Sequence, residues 1–346
     1  MKHLSLILNK FTLTLIMVVG FATALPAEGR AGMFVEGLTH AAIALLFFLH
    51  GARLSRHAVV GGATHWRLHV LVFASTFVMF PLIGLALAPV ARPLLGDGLW
   101  AGMLYLCALP GTVQSAIAFT SMARGNVPAA VCAASSSSLV GIVVTPLLVG
   151  FLLGTASGSL PAGTAILKIG FELLLPFAAG HLLRPWVGAW VNRNQHWLHS
   201  VDHSAILLVV YSAFGSAVLG GLWQTIPALA LTLLVVACAV LLALVLAGTT
   251  WLARTLHFDT EDEITIVFCG SKKSLATDIP MAQILFAGGA AGAVILPLIL
   301  FHQMQLMVCA VIARRYARRD ESQPTGREST PPGGAAPGST RPSIGR

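Results

Sequence analysis

Apolar residues run along this chain in long blocks, with short polar stretches between them. Ten blocks stand out, at 11–27, 36–52, 69–90, 99–122, 128–154, 165–184, 203–222, 227–253, 264–286 and 289–313. About 20 apolar residues in a helix cross a hydrocarbon core of about 30 Å, so each block predicts a transmembrane helix. Two blocks are interrupted. Block 99–122 breaks at Pro110-Gly111-Thr112, and block 264–286 breaks at Gly270-Ser271-Lys272-Lys273-Ser274. Each interrupted block is the fourth of five in its half. Interrupted helices at corresponding places in two halves point to a transport site at the bilayer midplane.

The pattern predicts an all-α polytopic membrane protein: ten transmembrane helices in two five-helix inverted repeats with two broken helices. Residues 1–154 form the first repeat, 155–318 the second, and 319–346 a disordered cytoplasmic tail. An odd number of spans per half inserts the halves with opposite orientation. The Gly/Ser-rich stretch around 154–163 reads as the turn between them. The tail is rich in Ser, Thr, Pro, Gly and Arg and cannot bury enough apolar surface to order itself.

Composition agrees. The chain is 56% hydrophobic and 10% charged, with a mean hydropathy of +0.82. Soluble domains carry roughly 25% charged residues, so an ordinary soluble domain is excluded. The net charge of +8 reads as topology rather than nucleic-acid affinity. With ten spans and a cytoplasmic N-terminus, thirteen cationic residues fall inside: Lys2, Lys10, Arg53, Arg56, Arg67, Arg124, Arg184, Arg193, Arg254, Arg314, Arg315, Arg318 and Arg319. Only Arg30 and Arg92 fall outside. This fits the positive-inside rule and places both termini in the cytoplasm. A second reading of the N-terminus stays open: Lys2, Lys10, an apolar stretch and Ala24-Leu25-Pro26-Ala27 resemble a cleavable signal peptide. The basic run at 313–319 reads as an anchor on anionic lipid. Cys107, Cys132, Cys238, Cys269 and Cys309 lie within apolar blocks and read as small buried hydrophobes.

The breaks hold the candidate chemistry. Pro110 removes a donor and clashes with the preceding turn, and Gly111 permits unusual dihedrals. Freed main-chain groups survive at membrane depth only against protein or a wet cavity. Thr112, Gln114 and Ser115 lie beside them. In the second break Gly270, Ser271, Lys272, Lys273 and Ser274 precede Asp278. A lysine at the centre of a membrane helix costs ~2.5–3.5 kcal/mol on insertion scales. Lys272 follows Glu263 by nine residues, ~13 Å of helix at ~1.5 Å per residue, which sets it near mid-depth. Pairing with Asp278, snorkelling to an interface, and pointing into a cavity are the readings for the two ammonium groups. His302, Gln303 and Gln305 read as interhelical hydrogen bonders or cavity lining. Ser135-Ser136-Ser137-Ser138 reads as close helix packing or substrate contact. Glu172 pairs on paper with Lys168, one turn away. His196-Trp197-Leu198-His199 and Asp202-His203 read as an amphipathic interfacial segment of a central cytoplasmic loop rather than a metal site. No phosphate loop, nucleophile elbow or zinc-peptidase motif occurs.

These residues resemble the bile acid:sodium symporter superfamily, which includes arsenite exporters. The Pro-Gly break, Ala123-Arg124-Gly125-Asn126-Val127 and Thr145-Pro146-Leu147-Leu148 look like its fourth and fifth helices. Phe11-Thr12-Leu13-Thr14-Leu15, Glu36-Gly37-Leu38-Thr39, Phe47-Phe48-Leu49-His50-Gly51-Ala52 and Gly270-Ser271-Lys272-Lys273-Ser274-Leu275-Ala276 look like a bacterial branch related to the seventh member of the human bile-acid carrier family. The resemblance implies a panel and a core group of helices, broken helices crossing at the site, and a bacterial inner membrane. It also exposes a departure. Where sodium-coupled members carry a glutamate followed by Gln-Asn, this chain has Val267, Ser271 and Lys272; expected hydroxyl ligands fall at Ala130 and Ala134. The implied sodium site is degenerate, with Lys272 in the ion's place.

The expectation is a secondary active transporter of a small organic anion by alternating access, coupled to sodium or protons. It needs no metal and no cofactor beyond that ion, and its partners are the solute, the bilayer and a second copy in a homo-oligomer. The alternative is a non-transporting membrane regulator, with Lys272 locked to Asp278.

Overall fold

The computed structural model describes residues 10–53, 65–157, 170–286 and 291–319. Lys168 and the predicted tail from 320 onward lie outside them. Among the described residues every regular element is a helix. In order these are α1 (Lys10–Ala24), α2 (Gly29–Arg53), α3 (Trp66–Ala74), α4 (Phe80–Ala108), α5 (Gln114–Met122), α6 (Val127–Ser157), α7 (Leu175–Arg193), α8 (Gln195–Leu219), α9 (Leu222–Thr225), α10 (Ala228–Thr255), α11 (Thr260–Gly270), α12 (Asp278–Leu285) and α13 (Ala291–Ala317). Six of the helical stretches are long and apolar enough to cross a membrane. Their outer faces expose large apolar side chains such as Phe34, Phe151 and Trp251, as lipid-facing surfaces do. The protein is a multi-pass membrane protein.

Local chemistry explains the irregularities. Ser75–Met79 is a π turn joining α3 to α4. Pro81 has no N–H to give the preceding turn, and the Ser75 and Thr76 hydroxyls donate to Leu71 O and Val72 O at 2.7 and 2.8 Å. A second π turn, Gly170–Leu174, precedes Pro176. Within α4 the helical path is interrupted at Gly96, whose φ of 76° suits glycine. The outward loop expected between blocks three and four is therefore a sharp corner within helical chain. The expected central loop is likewise absent. α7 and α8 meet at Asn194, and His196 to His203 form the first turns of α8. At α11, Asp259 Oδ1 accepts from Asp262 N at 2.8 Å, and three acidic residues fill the first turn, where the helix dipole favours them.

The helices pack as two groups. In one, α2 lies along α7, and α8 packs on α1 and α2. The α2–α7 seam is glycine on both sides. A Cβ on Gly51 would run into Phe177 O, and one on Gly180 into Phe48 O, so the two backbones touch. The other group gathers α3, α4, α5, α6, α10, α11, α12 and α13 around two clusters, one with Leu104, Leu241 and Phe301 and one with Leu68, Ala116, Ala130 and Ile266. Contact between the groups runs mainly through α8 against α12 and α13, with a smaller contact from the Gly170–Leu174 turn to α6.

Candidate functional site

Pro110 disfavours helix at the residue before it, and Leu109 is extended (φ −75°, ψ 154°). α4 therefore stops at Ala108 and α5 begins at Gln114. The freed main-chain groups find partners. Thr145 Oγ1 donates to Ala108 O at 2.9 Å, and Gly111 N donates to Ser137 Oγ at 3.4 Å. The second break is longer than the motif suggested, running from Ser271 to Thr277. Lys273 N donates to Gln305 Oε1 at 2.9 Å, and Gln305 Nε2 donates back to Lys273 O at 2.7 Å. His302 Nδ1 lies 2.9 Å from the same carbonyl. Asp278, the first residue of α12, reaches back into the break: Oδ2 accepts from Ser274 N at 3.0 Å and Oδ1 from Thr277 Oγ1 at 2.8 Å.

The two breaks lie against one another. A Cβ on Gly111 would meet Cys269 O at 3.1 Å and Lys272 O at 3.7 Å, so glycine keeps the main chains this close. Lys272 and Lys273 are fully buried. Neither pairs with Asp278 and neither snorkels, which corrects two of the sequence readings. Lys272 Nζ donates to Ser115 O at 3.0 Å, across the breaks, and sits 3.5 Å from the centre of the Phe119 ring. Lys273 Nζ turns the other way. It donates to Thr76 O at 3.2 Å, Cys107 O at 3.4 Å and Leu109 O, and sits 3.8 Å from the Phe80 ring centre. Among the described residues no carboxylate lies within ion-pair distance of either ammonium.

A cavity of about 470 Å³ opens between the two helix groups. Gly111, Thr112, Gln114 and Ser115 from the first break line it, as do Ser274 to Thr277 from the second. Ser135, Ser138, His302 and Gln303 complete this wall, so the serine run divides between cavity lining and, at Ser137, a main-chain partner. Pro110, Gly270, Ser271, Lys272, Lys273 and Asp278 do not line the cavity. The ammonium groups stand behind its wall, not within it. They are packed on carbonyls and aromatic faces, whose attraction for a cation strengthens once water is excluded.

The opposite wall was missed. It carries Phe11, His50, Arg53, His199, Asp202 and His203. Arg53 donates to Asp202 Oδ2, and Asp202 is buried. His199 and His203 stand one turn apart with ring centres 4.1 Å apart, and Phe11 stacks on His203 at 4.3 Å. The sequence presents Arg53 as a topology charge and 196–203 as an interfacial loop. The available signal was spacing: His50 with Arg53, and His199 with Asp202 and His203, share faces three or four residues apart. Glu172 lies 3.6 Å from His40. Among the described residues no group of three or more His, Cys, Asp or Glu is placed to hold a metal ion.

Residues 9–318 match the SBF-like CPA transporter family. A Pseudomonas aeruginosa protein of no assigned function, PA2026, is 62% identical over 90% of this chain and 93% of its own. The Escherichia coli protein YfeH, provisionally named a symporter, is 55% identical over 94% of this chain and 97% of its own. Sodium/bile acid cotransporter 7 of Danio rerio is 27% identical over 87% of this chain and 91% of its own. The family is one of transporters, so the chain is a transporter and not an enzyme. With its broken helices stacked at one cavity, the chain belongs to the SBF-like CPA transporter family, within the bile acid:sodium symporter superfamily.

Proposed function

We propose that the chain is a secondary active transporter of a small organic anion, working by alternating access. One observation carries this reading: the two main-chain breaks abut, and both line a single cavity between two groups of helices. The cavity walls carry four histidines and the Arg53–Asp202 ion pair, so among the lining residues no unpaired carboxylate faces a solute. α5 begins beside the cavity at Gln114, and a helix N-terminus favours an anion. Thr112, Gln114, Ser115, Ser274 and His302 are the proposed solute contacts. Pro110, Gly111, Gly270, Ser271, Lys273 and Asp278 shape the breaks, and Lys272 takes the place of the coupling cation, its ammonium on Ser115 O.

The helix grouping supports two inverted repeats at 1–154 and 155–318 in ten spans. Each repeat sends its first two spans to the α1, α2, α7, α8 group and its last three to the other. Both termini are then cytoplasmic, and the relatives from two Gram-negative bacteria fit an inner membrane. The coupling ion is sodium or a proton, and the protein assembles as a homo-oligomer.

Purified protein in liposomes, offered a panel of organic anions under imposed sodium or pH gradients, tests the proposal. Gradient-driven accumulation of at least one anion is expected. Its absence across the panel in demonstrably folded protein overturns the reading.

A further inference from the structure

Lys273 is a buried cation that the proposed solute path does not use. Its main chain is gripped by Gln305, through both N and O, and its side chain points away from the cavity. Its Nζ ends among three main-chain carbonyls. Two, Cys107 O and Leu109 O, belong to the broken end of α4, where a helix leaves its last carbonyls unpaired and carries partial negative charge. The third, Thr76 O, belongs to the π turn between α3 and α4. The Phe80 ring closes a further side at 3.8 Å. Among the described residues no carboxylate stands within ion-pair distance. Cages of main-chain carbonyls without carboxylates are how proteins replace the hydration shell of a bare monovalent cation.

We infer that the Thr76–Cys107–Leu109 carbonyl cage is a monovalent-cation site that this chain fills permanently with its own tethered ammonium. Removing the side chain opens the cage to a small free cation: methylammonium, ammonium, potassium or sodium. The inference does not depend on the transport reading, because its readout is stability and not flux.

Two variants test it, Lys273→Ala and Lys273→Met, in detergent with melting temperature as the readout. Chloride salts of methylammonium, ammonium, potassium and sodium are compared with N-methylglucamine at one ionic strength. Lys273→Met keeps the volume and orphans the carbonyls, so its Tm falls by at least about 5 °C in every salt. Lys273→Ala falls further in N-methylglucamine and recovers saturably in at least one small cation, while the wild type does not respond. If Lys273→Ala is not recovered folded in N-methylglucamine, extraction in methylammonium is compared directly. Recovery there supports the inference; recovery in none of the four small cations overturns it. A Lys273→Met protein that melts with the wild type, or a Lys273→Ala protein whose salt response equals the wild type's, also overturns it.

Discussion

Two neighbouring lysines take opposite routes out of one break. Lys272 reaches a single carbonyl on the first break and an aromatic face, and Lys273 reaches back to the end of α4. Both leave the non-helical stretch between α11 and α12, whose main chain no longer sets their side chains on one helical face. The divergence separates their roles. Replacing Lys272 by methionine orphans one acceptor and relieves the desolvation of an unpaired charge, terms of opposite sign. Lys272→Met is therefore expected to melt within a few degrees of the wild type while gradient-driven flux falls at least tenfold. A folded Lys272→Met protein with wild-type flux would remove this ammonium from the mechanism. The nine residues between an acidic helix start and Lys272 could be counted in the sequence. Its partner was not legible there. Ser115 is 157 positions away, and only the stacking of two breaks brings its carbonyl within reach.

At the scale of elements, breaks were easier to read than boundaries. Pro110 and Gly111 announce the first break because proline and glycine act through local backbone chemistry. The second break outran its glycine by several residues, because the main chain from Ser271 to Thr277 is held by tertiary and reach-back partners, Gln305 on Lys273 and Asp278 on Ser274 N, rather than by helix. The turn from α7 into α8 was illegible for a different reason. Tryptophan and histidine at 196–203 suit an interface as well as a helix, and tertiary contact with Phe11 and Arg53 selects the helix. The α2–α7 seam gives the clearest element-level test. Gly180→Val places a branched side chain against Phe48 O, and overpacking of this kind costs about 1–3 kcal/mol or more. A strongly lowered yield of folded protein is expected, measured by gel filtration in detergent. Gly20→Ala in α1 meets nothing within 4 Å and should behave as the wild type.

For the whole molecule, the arrangement defines which face of the membrane sees the cavity. Arg53 and His199 stand on the wall opposite the breaks, near the α2 C-terminus and the α8 N-terminus. In the proposed topology these ends are cytoplasmic, so the described conformation is open to the inside. A Ser138→Cys protein in a Cys132→Ala background should be modified by a membrane-impermeant maleimide in inside-out vesicles at least tenfold faster than in right-side-out vesicles. Equal rates, or the reverse order, would contradict that orientation. Cys107, Cys238, Cys269 and Cys309 are buried and should stay silent.

The glycine seam between α2 and α7 bears on how such a cycle is timed. Helices whose carbonyls rest on each other's glycines cannot ratchet past one another, so this pair travels as a single plank. Whatever shear accompanies solute release must be taken up elsewhere, along the α8 face that meets α12 and α13. Barrier heights for the cycle would then respond to bulk added on that face and stay indifferent to lipid-facing changes on the plank itself.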